Sequence, residues 1–352
     1  MRKIIHIVGN RPQLIKLAVL HQYLSLHSDV QQSIIHTGQH YSYSMNELFF
    51  EELSIPTPDI NFNIQHSSPN GFIGLAADAL QQFFVKEQNA AAFVYGDTNS
   101  TLAAALAATR THTPLLHFEA GVRTGDNSMP EEINRLLTDR LANINFCCTQ
   151  NNLNNLLAEG YGSSIPCKTI LSGDLMLDAF LKIAPGKIST QLPDEFILCT
   201  IHRAANLSDK NNLAHIIDAL NQLHQQTAVV MPIHPHTQKK IESYGLAIEF
   251  IALPPVGYPQ MKSLLQRAVF VITDSGGTSR EAYFSNKPSL IIMNKPFWPE
   301  IIEAGCALQS IAHKNEILKN VQLLNNLPLH FNSTIFGNGN AAASIGANIR
   351  VS

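Results

Sequence analysis

Two carboxylates follow successive apolar runs in the N-terminal half of the chain. Asp97 comes just after the run that ends at Tyr95, and Glu119 comes directly after the run that ends at Phe118. If the two runs are neighbouring parallel strands, both carboxylates lie at the carboxyl edge of one sheet, where α/β proteins bind ligands. A single carboxylate at such a position is usually a helix cap. With two on successive strands, a structural role and general acid–base chemistry are equally open.

A third acidic site opens a predicted helix after Met129. Pro130 suits the first turn of a helix, and Glu131 suits the positive end of its dipole. A purely structural interpretation is a capped helix with a Glu131–Arg135 ion pair. The residues expected on its buried face are Ile133, Leu136, Leu137 and Leu141. This interpretation does not explain the run 123–126, Arg-Thr-Gly-Asp, which has the composition of a functional loop.

A glycine pair, Gly276-Gly277, follows the apolar run 269–273 and opens another predicted helix. Glycine lets the backbone approach a ligand closely, and a helix N-terminus presents free N–H groups to a phosphate. Ser275 adds a hydroxyl donor. The competing interpretation is a tight turn capped by Asp274 or Ser275, and the motif alone leaves both open.

Histidines and basic residues stand at other predicted strand ends. His202 and His234 follow two apolar runs of the C-terminal half, where a histidine can bind phosphate or transfer a proton near neutral pH. Arg11 and Lys16 bring positive charge after the first run. The turn there is not GxGxxG, which argues against a nicotinamide cofactor. We expect no cofactor, and no metal ion because the histidines have no carboxylate or cysteine at ligand spacing.

The elements that position these residues are predicted to be strands buried on both faces, since apolar runs without polar alternation are typical of parallel sheets. The runs are 4–8, 33–37, 92–95, 115–118, 144–148, 169–171, 196–201, 228–233, 248–253, 269–273 and 289–293. Segments with helical spacing lie between them, among them 14–26, 101–108 and 212–224. The alternation predicts an α/β fold with two Rossmann-like domains facing a cleft.

A cluster of prolines and glycines near 166–195 interrupts this alternation, which restarts at Phe196. We therefore predict an N-terminal domain over 1–168 and a C-terminal domain over 169–332. The last segment, 333–352, is expected to end in a helix that packs back on the first domain.

The composition excludes several classes of protein. The 352 residues are 45% hydrophobic and 14% charged, with a net charge of −3 and no basic stripe for nucleic acid. The five cysteines lack CxxC spacing and are typical of buried thiols in a reducing compartment. No run has the length of a membrane span, and the first apolar run is too short for a signal peptide. We expect a cytoplasmic protein without nucleic-acid or membrane partners.

Taken together, the motifs resemble those of the bacterial UDP-N-acetylglucosamine 2-epimerase family. The matching segments are 9–16, 95–98, 117–124, 130–135, 200–203 and 273–281. The resemblance extends over essentially the full chain. It implies a GT-B type fold, a UDP-sugar substrate and a homodimer.

The resemblance also implies a mechanism. Members of the family remove the C2 proton of the sugar, expel UDP from C1 by anti elimination and re-add it to the opposite face of a glycal. It implies proton-transfer roles for Asp97, Glu119 and Glu131, and contact with the UDP-sugar for His202. It implies diphosphate contacts for Arg11, Ser275, Gly276 and Gly277, and a ribose contact for Glu281. We further expect Lys16, Arg135 and His234 to bind the substrate.

Some positions depart from the usual family pattern. Tyr41 stands where enzymes for UDP-N-acetylglucosamine more often have arginine in a segment for allosteric substrate binding. Together with 49–53, the segment 37–41 is closer to the branch that acts on UDP-2,3-diacetamido-2,3-dideoxy-glucuronic acid. Gln13 and Ala205 each replace a usual glutamate. Because the proton-transfer carboxylates are intact, these changes indicate an altered substrate or rate.

Three functions remain open from the sequence. The first is a 2-epimerase that makes a UDP-sugar for surface polysaccharide. The second is a hydrolysing relative that releases UDP and a free amino sugar. The third is a non-catalytic UDP-sugar binder or a GT-B glycosyltransferase.

Overall fold

The fold was analysed in a computed structural model, which describes residues 3–27, 29–38, 50–87, 89–324, 326–327, 329–331 and 334–349. Its strands are β1 (Lys3–Val8), β2 (Gln31–His36), β3 (Ile60–Asn61), β4 (Ala90–Tyr95), β5 (Leu115–Phe118), β6 (Ile144–Cys147), β7 (Lys168–Leu171), β8 (Ile197–Thr200), β9 (Val229–Pro232), β10 (Ile251–Leu253), β11 (Val271–Thr273), β12 (Ser289–Ile292) and β13 (Ala307–Ser310).

Helices alternate with these strands through most of the chain. They are α1 (Arg11–His27), α2 (Pro69–Phe84), α3 (Asn99–Arg110), α4 (Pro130–Leu141), α5 (Gln150–Ala158), α6 (Leu175–Lys182), α7 (Ala204–Leu207), α8 (Lys210–His224), α9 (Pro235–Tyr244), α10 (Tyr258–Arg267), α11 (Gly276–Phe284), α12 (Pro299–Glu303), α13 (Lys314–Leu324) and α14 (Ala341–Ile349).

The first sheet has seven parallel strands in the order β3-β2-β1-β4-β5-β6-β7. Its central strands are buried on both faces, as the uninterrupted apolar runs predicted; all six side chains of β4 are buried. The strand order reverses between β1 and β4, and such a reversal leaves a crevice at the carboxyl edge of a sheet. The loops that follow these strands are therefore the places to look for a site.

The second sheet has six parallel strands in the order β10-β9-β8-β11-β12-β13. Here the order reverses between β8 and β11, the strands that precede His202 and the glycine pair. The predicted α/β class and every predicted strand are confirmed. The edge strands β3 and β13 were not predicted.

The chain divides into two compact units, one formed by residues 1–182 with 334–352 and the other by 183–333. Residues 169–182 thus lie in the first unit rather than in the predicted second domain. The reason is that β7 pairs in parallel with β6 and that α6 packs against α1. The C-terminal helix α14 packs against α1 and α6.

One buried carboxylate fastens that C-terminal helix to the first unit. Asp178, on α6, accepts hydrogen bonds from the N–H groups of Ala341 and Ala342 at 3.0 and 2.9 Å. These are the first amides of α14, which have no partner within their own helix. Burial raises the pKa of the Asp178 carboxyl, while the two backbone hydrogen bonds and Lys182 oppose that rise.

Helix α4 is buried on the face opposite to the predicted one. Ile133 and Leu137, expected in the core, are each 45% exposed, and Leu136 and Leu141 are only partly buried. The buried residues of this helix are Glu132, Asn134, Arg135, Thr138 and Asp139. Apolar spacing predicted the face wrongly because this helix packs a polar network against the loops that follow β4 and β5.

Within the described part of the chain, we find no helix with the length and apolarity required to cross a membrane. The five cysteines are all buried and free.

Candidate active site

Asp97 is held by a buried arginine. It follows β4 with its side chain 23% exposed, and its Oδ2 accepts a hydrogen bond from Nη2 of Arg135. Arg135 also donates to Glu132 at 3.1 Å, so its guanidinium is shared by two carboxylates. A buried guanidinium is stabilised by such pairing. Arg135, expected to bind substrate, thus orients Asp97.

Glu119 stands in a backbone conformation that non-glycine residues rarely adopt, with φ at +73°. Its N–H and that of Ala120 both donate to the carbonyl of Phe146 at 3.1 Å, which holds the turn in place. A left-handed conformation of this kind costs about 1–3 kcal/mol and is often found at functional sites. The turn aims a buried carboxylate at the carboxyl edge of the sheet.

Lys16 lies against this carboxylate. Its Nζ is 2.5 Å from Oε2 of Glu119, and both side chains are at least nine-tenths buried. Gly96, after β4, approaches both groups, since a Cβ there would lie 3.6 Å from Nζ of Lys16 and 3.7 Å from Oε1 of Glu119. The sequence predicted that Lys16 binds the substrate. In this structure its ammonium group is paired with the Glu119 carboxylate, the candidate base.

A second layer of polar groups supports the loop that carries Asp97. His117, on β5, forms hydrogen bonds of 2.7 Å with the carbonyl of Gly96 and with Oδ1 of Asp139. Burial alone would raise the pKa of Asp139, but hydrogen bonds and charge from His117 and Arg123 leave it lowered. Asp139 therefore remains an acceptor that fixes the imidazole.

The predicted Glu131–Arg135 ion pair is not formed, because Glu132 rather than Glu131 faces Arg135. The carboxylate of Glu132 also accepts hydrogen bonds from the N–H groups of Thr124 and Gly125 and from the Thr124 hydroxyl, at 2.9–3.1 Å. It thereby orders the loop 123–126. Glu131 is partly exposed at the start of α4, and its carboxylate makes no hydrogen bond or ion pair with the residues that the structure describes.

The end of β1 is tied to the end of β4 by Gln13. Its Oε1 accepts from the N–H of Gly9 at 2.7 Å, and its Nε2 donates to the carbonyl of Tyr95 at 2.8 Å. The glutamate usual in the family could not donate the second bond, because an ionised carboxylate has no hydrogen to donate. This hydrogen bond explains why glutamine stands at position 13. Arg11, nearby, is half-buried; burial lowers its pKa, and the charge of Glu52 opposes that shift.

In the second unit, the glycine pair occupies the first turn of α11. Ser275 caps this helix by accepting a hydrogen bond from the Thr278 N–H at 3.2 Å, so the capping interpretation holds for its hydroxyl. The amides of Gly276 and Gly277 occupy the first two helical positions, where N–H groups have no partner in the helix. Glu281 lies further along α11 and is buried.

Two aromatic residues pack on the glycine turn. Nε1 of Trp298 donates to the carbonyl of Gly276 at 3.0 Å. A Cβ on Gly276 would lie 2.8 Å from the Phe297 ring, whereas a Cβ on Gly277 would meet only the Ser275 hydroxyl, at 3.6 Å. Gly276 is thus required by packing. Gly277 is not, and the space beside it is available to a ligand.

His202 follows β8 with its side chain 49% exposed, and its Nδ1 is 3.6 Å from Oδ1 of Asp274. The buried Asp274 also accepts hydrogen bonds from the N–H groups of His202 and Arg203 and from Asn206. Asp274 therefore fixes the conformation of the loop that carries His202. His234 is exposed and caps α9 through a hydrogen bond from the His236 N–H.

Sequence reasoning missed residues at the ends of the next two strands. Cys148 follows β6 and Asp174 follows β7, and their side-chain atoms and those of Glu119 lie within 4.8 Å of one another. This spacing would let the three groups share a cation, but the Lys16 ammonium already compensates Glu119, so the set fits proton transfer better than a metal ion. Asp174 follows the predicted run 169–171 much as Asp97 follows 92–95, whereas Cys148 is the last residue of the predicted run 144–148 and lies just beyond the observed strand.

Of two other positions that depart from the family pattern, the structure describes one. Ala205 is exposed on the short helix α7, where its carbonyl accepts from Asn212. Tyr41 lies outside the described residues, as do the other residues from 39 to 49.

Comparison with known proteins identifies the family. The chain matches the family described as UDP-N-acetylglucosamine 2-epimerase over residues 22–350. The UDP-2,3-diacetamido-2,3-dideoxy-D-glucuronate 2-epimerase of Pseudomonas aeruginosa is 38% identical over 347 residues, covering 97% of this chain and 98% of that protein. The UDP-N-acetylglucosamine 2-epimerase of Methanocaldococcus jannaschii is 32% identical over 357 residues, or 96% of each chain.

Solved structures of UDP-GlcNAc 2-epimerases have the same fold as this chain. The crystal structure of the Methanocaldococcus jannaschii enzyme in complex with UDP-GlcNAc and UDP matches with a TM-score of 0.91 at 32% identity, over 99% of this chain and 100% of that one. The Neisseria meningitidis enzyme bound to UDP-GlcNAc matches with a TM-score of 0.88 at 26% identity and the same coverage. The expected GT-B type fold is confirmed. The chain therefore belongs to the UDP-N-acetylglucosamine 2-epimerase family, whose named members are isomerases.

Proposed function

We propose that this chain inverts C2 of a UDP-N-acetylhexosamine by elimination and re-addition of UDP. Asp97, Glu119 and Glu131 transfer the protons, because an inversion at carbon needs acid–base groups on both faces of the ring. The observation that carries this proposal is the way Glu119 is held. It is a buried carboxylate in a strained turn, fixed by Lys16, at the carboxyl edge of the first sheet.

The second unit binds the UDP part of the substrate in this proposal. The first amides of α11, at Gly276 and Gly277, face the diphosphate with the positive end of the helix dipole. Ser275 and Arg11 contact the diphosphate, and Glu281 contacts the ribose. The other residues assigned to substrate contact are Lys16, Arg135, His202 and His234.

The experiment is an exchange assay in deuterated water. The purified protein is incubated with UDP-N-acetylglucosamine and, separately, with UDP-2,3-diacetamido-2,3-dideoxy-glucuronic acid, and NMR follows C2. We expect an epimer that carries deuterium at C2. Free sugar with UDP would instead indicate the hydrolysing alternative, which the relatives named as epimerases do not favour. Absence of exchange with both sugars would overturn the proposal.

Matched variants test the assigned carboxylates. Glu119→Gln and Glu131→Gln should each lower kcat by about 10²–10⁴-fold, the usual contribution of one acid–base group. Glu249→Gln changes an exposed carboxylate of the second unit and should leave the rate unchanged. Full activity in either of the first two variants would show that the assignment of that carboxylate is wrong.

The enzyme from Pseudomonas aeruginosa, at 38% identity against 32% for the Methanocaldococcus jannaschii UDP-N-acetylglucosamine 2-epimerase, supports the diacetamido-uronate as the substrate. A UDP-N-acetylglucosamine 2-epimerase homologue of Methanococcus maripaludis is also 38% identical, so UDP-N-acetylglucosamine is the second substrate to test. We further propose a cytoplasmic homodimer that supplies surface polysaccharide synthesis. Five free, buried thiols fit a reducing compartment. Light scattering should give a mass of twice 38.8 kDa; a mass of 38.8 kDa would contradict the dimer.

A further inference from the structure

A buried acidic cluster is formed by residues that follow three neighbouring strands, β5, β6 and β7. Its members are Glu119, Cys148 and Asp174, which are exposed by no more than 7% and whose oxygen and sulfur atoms lie within 4.8 Å of one another. The carboxyl ends of adjacent parallel strands meet at one edge of a sheet, which explains their convergence. The proposed function uses Glu119 and gives Asp174 no role.

Capping does not explain the charge of Asp174. Its Oδ1 accepts a hydrogen bond from the Met176 N–H at 2.9 Å, at the start of α6. Its backbone N–H donates to the carbonyl of Phe336 at 3.0 Å, which fixes the residue further. Asparagine or serine caps a helix as well as aspartate does. A second buried carboxylate beside Glu119 carries an electrostatic cost that the cap alone does not require.

The charges around Glu119 oppose one another. The ammonium of Lys16, at 2.5 Å, stabilises the Glu119 carboxylate and so weakens it as a base. A nearby carboxylate has the opposite effect, because like charges favour proton uptake. The groups that approach Glu119 from the surrounding elements include Lys16 on α1, Gly96 after β4, Cys148 after β6 and Asp174 before α6.

We propose that Asp174 is a positioning residue for proton transfer, whose negative charge offsets Lys16 and keeps Glu119 basic enough to take a proton from the sugar. Lys16 then fixes the geometry of Glu119 without making it inert. Uptake of one proton by Glu119 brings the group of Lys16, Glu119 and Asp174 from a charge of −1 to neutrality. The inference rests on the proposed function.

Asp174→Asn tests this role because the amide keeps the shape and the cap but removes the charge. The acid limb of the kcat/KM profile should move to lower pH by about one unit. The plateau of kcat should fall several-fold because Glu119 becomes a weaker base, with KM little changed. An unmoved acid limb in a folded variant would overturn the proposal.

Two further variants sharpen the experiment. Asp178→Asn is the matched control, since Asp178 is equally buried, lies one turn further along the chain, and accepts hydrogen bonds from the backbone amides of Ala341 and Ala342 on α14. It should lower Tm and leave the acid limb in place. Lys16→Met should move the limb to higher pH, opposite to Asp174→Asn, and it keeps the test available if Asp174→Asn does not fold.

The outcomes separate the two proposals. No C2 exchange by the unmodified protein would overturn the proposed function. Exchange by the unmodified protein, with Asp174→Asn and Lys16→Met moving the limb in the same direction or not at all, would overturn only the role of Asp174.

Discussion

At the scale of single residues, the site is built from side chains whose partners are other members of the site. Arg135 holds Asp97, Lys16 holds Glu119, and Asp274 holds the loop of His202. Each of these three candidates is thereby oriented by a buried charge before any ligand binds. Such preorganisation lowers the reorganisation needed during a reaction.

The two glycines of the α11 turn give a matched pair for a binding test. Gly277→Ala adds a methyl group where the protein has room, so Tm should be unchanged while affinity for UDP falls by at least about tenfold, or about 1.4 kcal/mol. Gly276→Ala places its methyl group 2.8 Å from Phe297 and should destabilise the fold by about 1–3 kcal/mol. Calorimetric titration with UDP and thermal unfolding measure both. Wild-type affinity in Gly277→Ala would contradict the proposed approach of the diphosphate.

At the scale of elements, the sequence predicts the buried strands, but it does not predict a helix face that is set by contacts with other elements. Buried strands are recognisable because a run such as 90–95 has no polar residue at all. The buried face of α4 cannot be recognised in the same way. Ile133 and Leu137 have the spacing of a core stripe, yet they are exposed and the polar side of the helix packs inward. Apolar spacing reports hydrophobicity, whereas the orientation of this helix follows from the hydrogen bonds of Glu132, Arg135 and Asp139.

The short strands β3 and β13 were missed for a related reason. In β13 only the two end residues, Ala307 and Ser310, are buried, with a partly buried Leu308 and an exposed Gln309 between them, and β3 has only two residues. Edge strands have one neighbour and need no continuous apolar run, so composition does not distinguish them from loops. The left-handed conformation of Glu119 is likewise invisible in sequence, because it is imposed by the carbonyl of Phe146 on the next strand.

At the scale of the whole molecule, one buried histidine makes stability depend on pH. His6, on β1, is hydrogen-bonded to Tyr95 and Gln32, and burial lowers its pKa from 6.5 to about 3, a shift that the Gln32 hydrogen bond opposes. Below pH 6.5 the unfolded chain binds a proton that the folded chain does not. The contribution of His6 to stability is thus complete above pH 6.5 and is lost as the pH falls towards 3.

Urea unfolding at pH 7 and pH 5 measures this effect. Relative to a His6→Gln variant, the unmodified protein should lose about 2 kcal/mol of unfolding free energy between the two pH values, at about 1.4 kcal/mol per unit. His330→Gln, at an exposed site, is the control and should follow the unmodified protein. Equal loss in the His6→Gln variant would contradict a neutral, buried His6.

The attachment of α14 to Asp178 has a consequence for how the chain is made. The first unit is interrupted by the whole of the second and is completed only by residues from 334 onward. During synthesis from the N-terminus, the amides of Ala341 and Ala342 reach Asp178 after all of the second unit has been translated. The second unit is therefore synthesised as one continuous segment before the first unit receives its last helix. In this architecture the unit that begins the chain is the last to have all of its residues synthesised.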